Sequence, residues 1–214
     1  MSARGRTVRD WRRRRLGQNF LNAATADLLI DRADFQPGEL VVEVGAGRGA
    51  MTAALAQCGV RIIAVEPDPE WSAQLRGRIA ENPHVRVIED DFLSVALPTE
   101  RFRVVGSLPF GKTTDILRRL LDDPHTSMER ADVIVQWEAA RKRAAVPPST
   151  LLSTVWAPWW DIRLGHRIPA REFRPVPRVD AGFLTITRRN PSLLPPSMAR
   201  SYAHFVRQHW PFDR

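Results

Sequence analysis

Short β-branched runs alternate along the chain with stretches in which apolar residues recur every three or four positions. The runs at 39–44, 60–66, 85–89, 102–106 and 131–137 read as strands, and the stretches at 50–58, 69–80 and 114–122 read as helices. In the last of these helices Ile116, Leu117, Leu120 and Leu121 make one core-facing stripe. A further helix starts after Glu138. Strands separated by helices predict a mostly parallel α/β sheet. From residue 149 the pattern changes: Trp156, Trp159 and Trp160 come close together, a Pro-rich loop follows at 169–177, and a strand is clear at 181–187. Late strands without a long crossover helix between them predict an antiparallel hairpin at the sheet edge. The three tryptophans are expected to pack in the core or at that edge. Beyond Arg189 there is room for one short helix, too little to bury a core of its own.

Composition sharpens this picture. A chain of 214 residues with 43% hydrophobic content fits one domain, or one plus a fragment, with a substantial core. The formal net charge is +8, from 32 Lys and Arg against 24 Asp and Glu, which suggests a polyanionic partner such as nucleic acid. Clustering supports that reading. Residues 1–15 carry seven arginines against Asp10 alone and so supply +6 of the +8. They read as a nucleic-acid-binding arm rather than a transit peptide, because cofactor-type sequence already begins by residue 17. The lone Cys58 excludes an internal disulfide, and five scattered histidines lack paired metal-ligand spacing, so no metal is expected. No apolar stretch approaches the ~18 residues of a membrane span, and the N-terminus lacks a secretory apolar segment. A cytoplasmic, non-membrane protein is expected.

The chemistry concentrates at residues 43–49, Glu-Val-Gly-Ala-Gly-Arg-Gly, directly after the apolar run Leu40-Val41-Val42. Here a buried strand turns into a helix, and glycines let the backbone approach a nucleotide-type ligand. A dehydrogenase reading has some support, since Gly45, Gly47 and Ala50 satisfy a relaxed G-x-G-x-x-G/A and Glu66 follows Gly45 by 21 residues. The residues that discriminate lie outside that fingerprint. Glu43 precedes the first glycine, Gly49 replaces a variable position, an acid ends the third strand, and Ser-Leu-Pro-Phe ends the fourth. Together they describe an S-adenosylmethionine site.

With these residues in order, the chain resembles the rRNA adenine-N6 methyltransferases, and among them the Erm type that acts on 23S rRNA and confers macrolide, lincosamide and streptogramin B resistance. The matching text is LGQNFL at 16–21, EVGAGRG at 43–49, AVEPD at 64–68, EDDFL at 89–93, SLPF at 107–110, VQWEAARKR at 135–143 and FRPVPRVDAGFLTITRR at 173–189. Two related readings share much of it: the small-subunit rRNA adenine dimethyltransferase of ribosome assembly, and a noncatalytic nucleic-acid-binding relative.

The resemblance implies a Rossmann-like class I methyltransferase fold, with a seven-stranded, mostly parallel sheet and an antiparallel edge hairpin. It implies an Arg-rich arm at 1–15, a catalytic domain at 16–189 and, at 190–214, the start of a shortened or trimmed helical C-terminal domain. Its implied cofactor residues are Gln18, Asn19, Leu21, Glu43, Gly45, Gly47, Glu66, Asp91, Phe92 and Ser107. Glu66 would grip the ribose hydroxyls and Asp91 the adenine amine. Ser107 and the Leu108 carbonyl would draw the target amine into line, with Phe110 stacked on the flipped base and Phe173 closing its other side. Arg141, Lys142, Arg143 and Arg174 would contact phosphates, with Arg171 and Arg178 beside them. The implied substrate is nascent or protein-poor 23S rRNA, and the implied state is a monomer. Ser107 departs from the family's usual Asn, which points to a bias towards monomethylation.

Overall fold

The computed structural model describes residues 18–210, so the Arg-rich arm at 1–15 lies outside it. A two-residue strand, β1 (Phe20–Leu21), leads into helix α1 (Ala23–Ala33). Strand β2 (Leu40–Val44) is followed by α2 (Ala50–Gln57), β3 (Arg61–Val65) by α3 (Pro69–Arg78), and β4 (Val85–Ile88) by β5 (Phe102–Ser107). Next come α4 (Thr113–Leu121), β6 (Met128–Gln136), α5 (Trp137–Arg143) and α6 (Leu151–Trp156). The chain then forms β7 (Trp160–Ile168), the two-residue β8 (Phe173–Arg174), β9 (Ala181–Arg188) and α7 (Ala199–His209).

Seven strands make one sheet in the order β4-β3-β2-β5-β6-β9-β7. Strands β2 to β6 pair in parallel, while β9 runs antiparallel to both β6 and β7. The β7–β9 pair is the expected edge hairpin, with β9 lying inside and β7 forming the edge. The chain winds outward from β2 through β3 and β4, then returns to start β5 on the other side of β2. That reversal opens a crevice at the carboxyl ends of β2 and β5, where open α/β sheets bind ligands.

Side-chain alternation divides the core between the two faces of the sheet. Val41 and Val105 join Leu29, Ile30 and Leu55 on one side, whereas Val42, Val44 and Val104 join Leu117, Leu120 and Trp156 on the other. The three tryptophans pack as expected, each with its indole N–H satisfied: Trp156 on Asp122 Oδ1 at 2.7 Å, Trp159 on the Leu194 carbonyl at 3.0 Å and Trp160 on the Leu121 carbonyl at 3.1 Å. The tail packs against this core through α7. Val206 of α7 is buried in the same core, the Tyr202 ring meets Trp159 at 5.8 Å, and its hydroxyl donates to the Thr154 carbonyl at 3.3 Å.

Candidate active site

Where β2 ends, Gly45 and Gly47 take φ of 72° and 53°, a left-handed backbone that other residues adopt only with strain. A Cβ on Gly47 would lie 2.9 Å from the Phe20 ring, so that ring packs directly on the turn. The Gly47 N–H donates to Glu66 Oε2 at 2.7 Å, and the Asp68 N–H donates to Glu66 Oε1 at 2.9 Å. Glu66 is thus locked at the end of β3, with lone pairs still facing the cleft. Beneath it, Glu43 is buried and accepts from the Thr52 hydroxyl of α2 at 2.5 Å. Burial pushes the Glu43 carboxyl up to about 7, partly offset by the Thr52 bond and reinforced by the charge of Glu66. Burial likewise raises Glu66, opposed by its two backbone bonds.

Gln18 forms another part of the wall. Its Nε2 donates to Asp68 Oδ2 at 3.0 Å, while its buried Oε1 has no partner among the described residues. An orphaned buried acceptor is costly unless a ligand donates to it. Past Pro67 the cleft continues into an apolar slot between Val44, Val65, Phe92, Pro109 and Ile116, with Asp91 and Lys112 at its edge. Lys112 Nζ donates to Asp91 Oδ2 at 2.5 Å and the Leu93 N–H to Oδ1 at 3.1 Å. Burial alone would raise the Asp91 carboxyl, but these bonds and the lysine charge hold it below the ordinary carboxylate range. Glu43, Glu66, Asp91 and Gln18 Oε1 together make a wall rich in acceptors. It fits a flat, donor-bearing ligand with a diol, an exocyclic amine and a cationic end.

On the facing side β5 ends at Ser107, and the Leu108 N–H is anchored to the Ile134 carbonyl at 2.9 Å. The Leu108 carbonyl receives no hydrogen bond from any described residue, whereas that of Pro109 is taken up by Lys112 N–H and the Thr113 hydroxyl. Phe110 opens a 3-10 turn and stands half-buried at the cleft beside Ser107. Two acceptors and an aromatic face therefore converge at one point. Residues 9–210 match the family described as ribosomal RNA adenine dimethylase. The chain belongs to this family.

Its relatives sharpen the assignment. The enzyme is 40% identical over 205 residues to an rRNA methyltransferase of Streptomyces thermotolerans, covering 94% of this chain and 68% of the relative. It is 36% identical over 199 residues to the mycinamicin-resistance protein MyrB of Micromonospora griseorubida, covering 92% and 62%. The solved structure of the 23S rRNA methyltransferase ErmE superposes with a TM-score of 0.79 at 30% identity, covering 88% of this chain and 78% of ErmE. A dimethyladenosine transferase from Plasmodium falciparum shares the fold, with a TM-score of 0.78 at 17% identity. The enzyme is an Erm-type rRNA adenine-N6 methyltransferase.

The residues expected to hold the cofactor and the target amine line the cleft, whereas Phe173, Arg141, Lys142, Arg143 and Arg174 lie outside its lining. Phe173, expected to close over a base, is fully buried in the core, because β8 pairs it with Leu21 of β1. Leu21 consequently holds β1 in place through packing, and it is Asn22 that caps α1 by accepting from the Thr25 N–H at 2.8 Å. Arg143 departs in part from a phosphate-contacting role. It donates to the Thr150 hydroxyl at 2.9 Å, its guanidinium lies 5.6 Å from the Trp156 ring centroid, and burial lowers its pKa. Arg141, Lys142 and Arg174 remain exposed. Asp68, Lys112 and Phe20 were missed by the sequence reading, although Asp68 and Phe20 sit inside quoted motifs; Lys112 was legible only as one of two lysines.

Proposed function

We propose that this enzyme transfers a methyl group from S-adenosylmethionine to N6 of an adenine in 23S rRNA, conferring macrolide, lincosamide and streptogramin B resistance. The observation that carries the reading is the Leu108 carbonyl, unbonded among the described residues, beside Ser107 and Phe110 in a cleft that also holds the Glu43 and Glu66 carboxylates, in a chain of this family. The names of ErmE and MyrB support the substrate and the resistance outcome. Glu66 would hold the ribose hydroxyls, Asp91 the adenine amine, and Glu43 with Gln18 Oε1 the cationic amino-acid end. When bound, S-adenosylmethionine supplies the electrophilic methyl.

An exocyclic adenine amine is a poor nucleophile because its lone pair is delocalised into the ring. The Leu108 carbonyl and the Ser107 hydroxyl would accept from its two hydrogens, drawing the nitrogen towards tetrahedral geometry and aiming its lone pair at the methyl. Phe110 would stack on the flipped base. Orientation of this kind contributes up to roughly 7 to 11 kcal/mol in favourable cases. The test is methyl transfer from labelled S-adenosylmethionine to protein-free 23S and 16S rRNA, with mass spectrometry of the product. Label confined to 23S rRNA is the expected result, together with raised macrolide resistance in an expressing host. Label on 16S rRNA instead would assign the enzyme to ribosome assembly, and cofactor binding without transfer would make it a binding relative.

A further inference from the structure

At the rim of the cleft, opposite Ser107 and Phe110, three side chains stack on one another. The Phe20 and Trp71 rings meet edge to face with centroids 5.0 Å apart, and the Arg48 guanidinium lies 4.8 Å from the Phe20 centroid and 5.0 Å from that of Trp71. Arg48 is held firmly by its neighbours in sequence. A Cβ on Gly47 would meet Phe20 at 2.9 Å and one on Gly49 would meet Leu75 at 2.6 Å, so the turn carrying Arg48 is clamped on both sides. Arg78 of α3 donates to the Arg48 carbonyl at 2.7 Å and brings a second guanidinium to the same rim. Both arginines are exposed, and no described carboxylate lies within ion-pair reach of either. Arg76, one turn away, is by contrast paired with Glu89 at 3.0 Å.

Phe20 is accounted for as a wall of the cofactor cleft, but a partly exposed Trp71 under a guanidinium with no carboxylate partner among the described residues is not. Planar rings next to uncompensated cations are what single-stranded nucleic acid binds, with bases on the aromatic faces and phosphates on the arginines. A compact anionic metabolite would use the cations and leave the indole idle. We propose that Arg48, Arg78 and Trp71 form a docking platform for the RNA strand next to the target adenine, with Trp71 stacking on a flanking nucleotide and the arginines holding its phosphate. This rests on the rRNA-methylation reading. The strand enters at Phe110, crosses the cleft mouth and is gripped at the opposite rim, so the platform helps to hold the target nucleotide out of its stack.

The test compares wild type with Trp71→Ala, Trp71→Phe and Arg48→Gln on a hairpin containing the methylated adenine. Trp71→Ala should weaken hairpin binding by about 5- to 150-fold, the range of one lost base stack. Trp71→Phe should recover most of it. Arg48→Gln should lower the slope of log affinity against log salt by about 0.7, one single-strand phosphate contact. Trp71 does not line the cofactor cleft, so calorimetric affinity for S-adenosylhomocysteine should stay within about twofold in Trp71→Ala, and a hairpin trimmed of the flanking nucleotides should bind wild type and Trp71→Ala equally. Unchanged hairpin affinity and slope would overturn the proposal. Loss confined to S-adenosylhomocysteine binding would also overturn it, making the cluster a cofactor closure. If the wild type methylates no rRNA, the functional reading itself fails; if it methylates 23S rRNA and the variants bind it equally well, only the platform fails.

Discussion

The Glu43 carboxyl is buried at the cleft, and burial disfavours its ionisation. Its folded pKa of about 7 exceeds the ordinary 4.5, so its contribution to stability is fully present below about pH 4.5 and is lost as pH rises through about 7. The loss amounts to about 3 kcal/mol at most. Glu43→Gln keeps an acceptor for Thr52 and removes the titration. The variant should gain melting temperature over wild type at pH 8 but not at pH 5, while binding S-adenosylmethionine more weakly; parallel pH profiles would reject this. Asp91 presents the opposite case, a carboxylate kept ionised. Asp91→Asn should weaken cofactor binding by about ten- to a hundredfold, since the proposed charge-assisted bond to the adenine amine would be lost. Lys112→Met should change it by less than about fivefold, because that ion pair is over a third exposed on both sides. Calorimetry on the two variants separates the roles. At Ser107 the hydroxyl reaches less far than an amide, which disfavours re-orienting a monomethylated amine with one hydrogen left to hold. Ser107→Asn should raise the ratio of dimethyladenosine to monomethyladenosine in digested rRNA, and an unchanged ratio would show that Ser107 does not set the product.

Among the elements, the short β1–β8 pair has the most effect on the site for its size. It carries Phe20 and Leu21 to the mouth of the cleft and draws Phe173 inward, and the Glu172 carbonyl accepts from the Asn22 N–H at 2.9 Å beside it. Phe173 and Phe110 therefore separate cleanly. Phe173→Ala should cost about 3–5 kcal/mol of stability, seen in denaturant unfolding, as expected for a large core truncation. Phe110→Ala should cost less than about 1 kcal/mol and lower methyl transfer instead. A Phe173→Ala variant of wild-type stability with failed transfer would return Phe173 to the base. Several elements were not delineated from the pattern, α1 and β7 being the longest of them. Helix α1 had a readable signal, the Asn22 cap followed by a stripe at Ala26, Leu29, Ile30 and Ala33. Strand β7 carries exposed Arg163, Gly165 and an irregular register between Leu164 and Arg167, which blurs the alternation that marks a strand.

For the whole molecule, charge and shape divide the work. The arm at 1–15 carries most of the net positive charge, and the charged side chains inside the cleft are chiefly the carboxylates Glu43 and Glu66. Affinity for rRNA should fall steeply with salt, by about 10³-fold or more between 50 and 200 mM if six or more phosphates are contacted. Deleting residues 1–15 should flatten that dependence and leave S-adenosylhomocysteine binding unchanged. A slope identical to wild type would move RNA binding onto the described surface. At the other end of these strands from the cleft, buried Arg103 holds the start of β5 to its neighbours. Its guanidinium donates to the Ala33 carbonyl at 2.6 Å, Glu39 at 3.1 Å and Asp132 at 3.1 Å, tying α1 and the approach to β2 to β5 and β6.

Periodicity, the glycine turn and the ordered motifs were sufficient in sequence to predict the parallel sheet that the structure shows, and they point to the proposed cofactor class and Ser107–Phe110 centre, because each is a local demand on backbone or chemistry. Tertiary structure alone decided what depended on residues far apart in the chain. It drew Phe173 into the core against Leu21, gave Lys112 to Asp91, buried Glu43 deeply enough to raise its pKa, and stacked Arg48 on Phe20 and Trp71. The physical reason is that burial and pairing belong to contacts across 20 to 150 residues of chain, which no local pattern encodes.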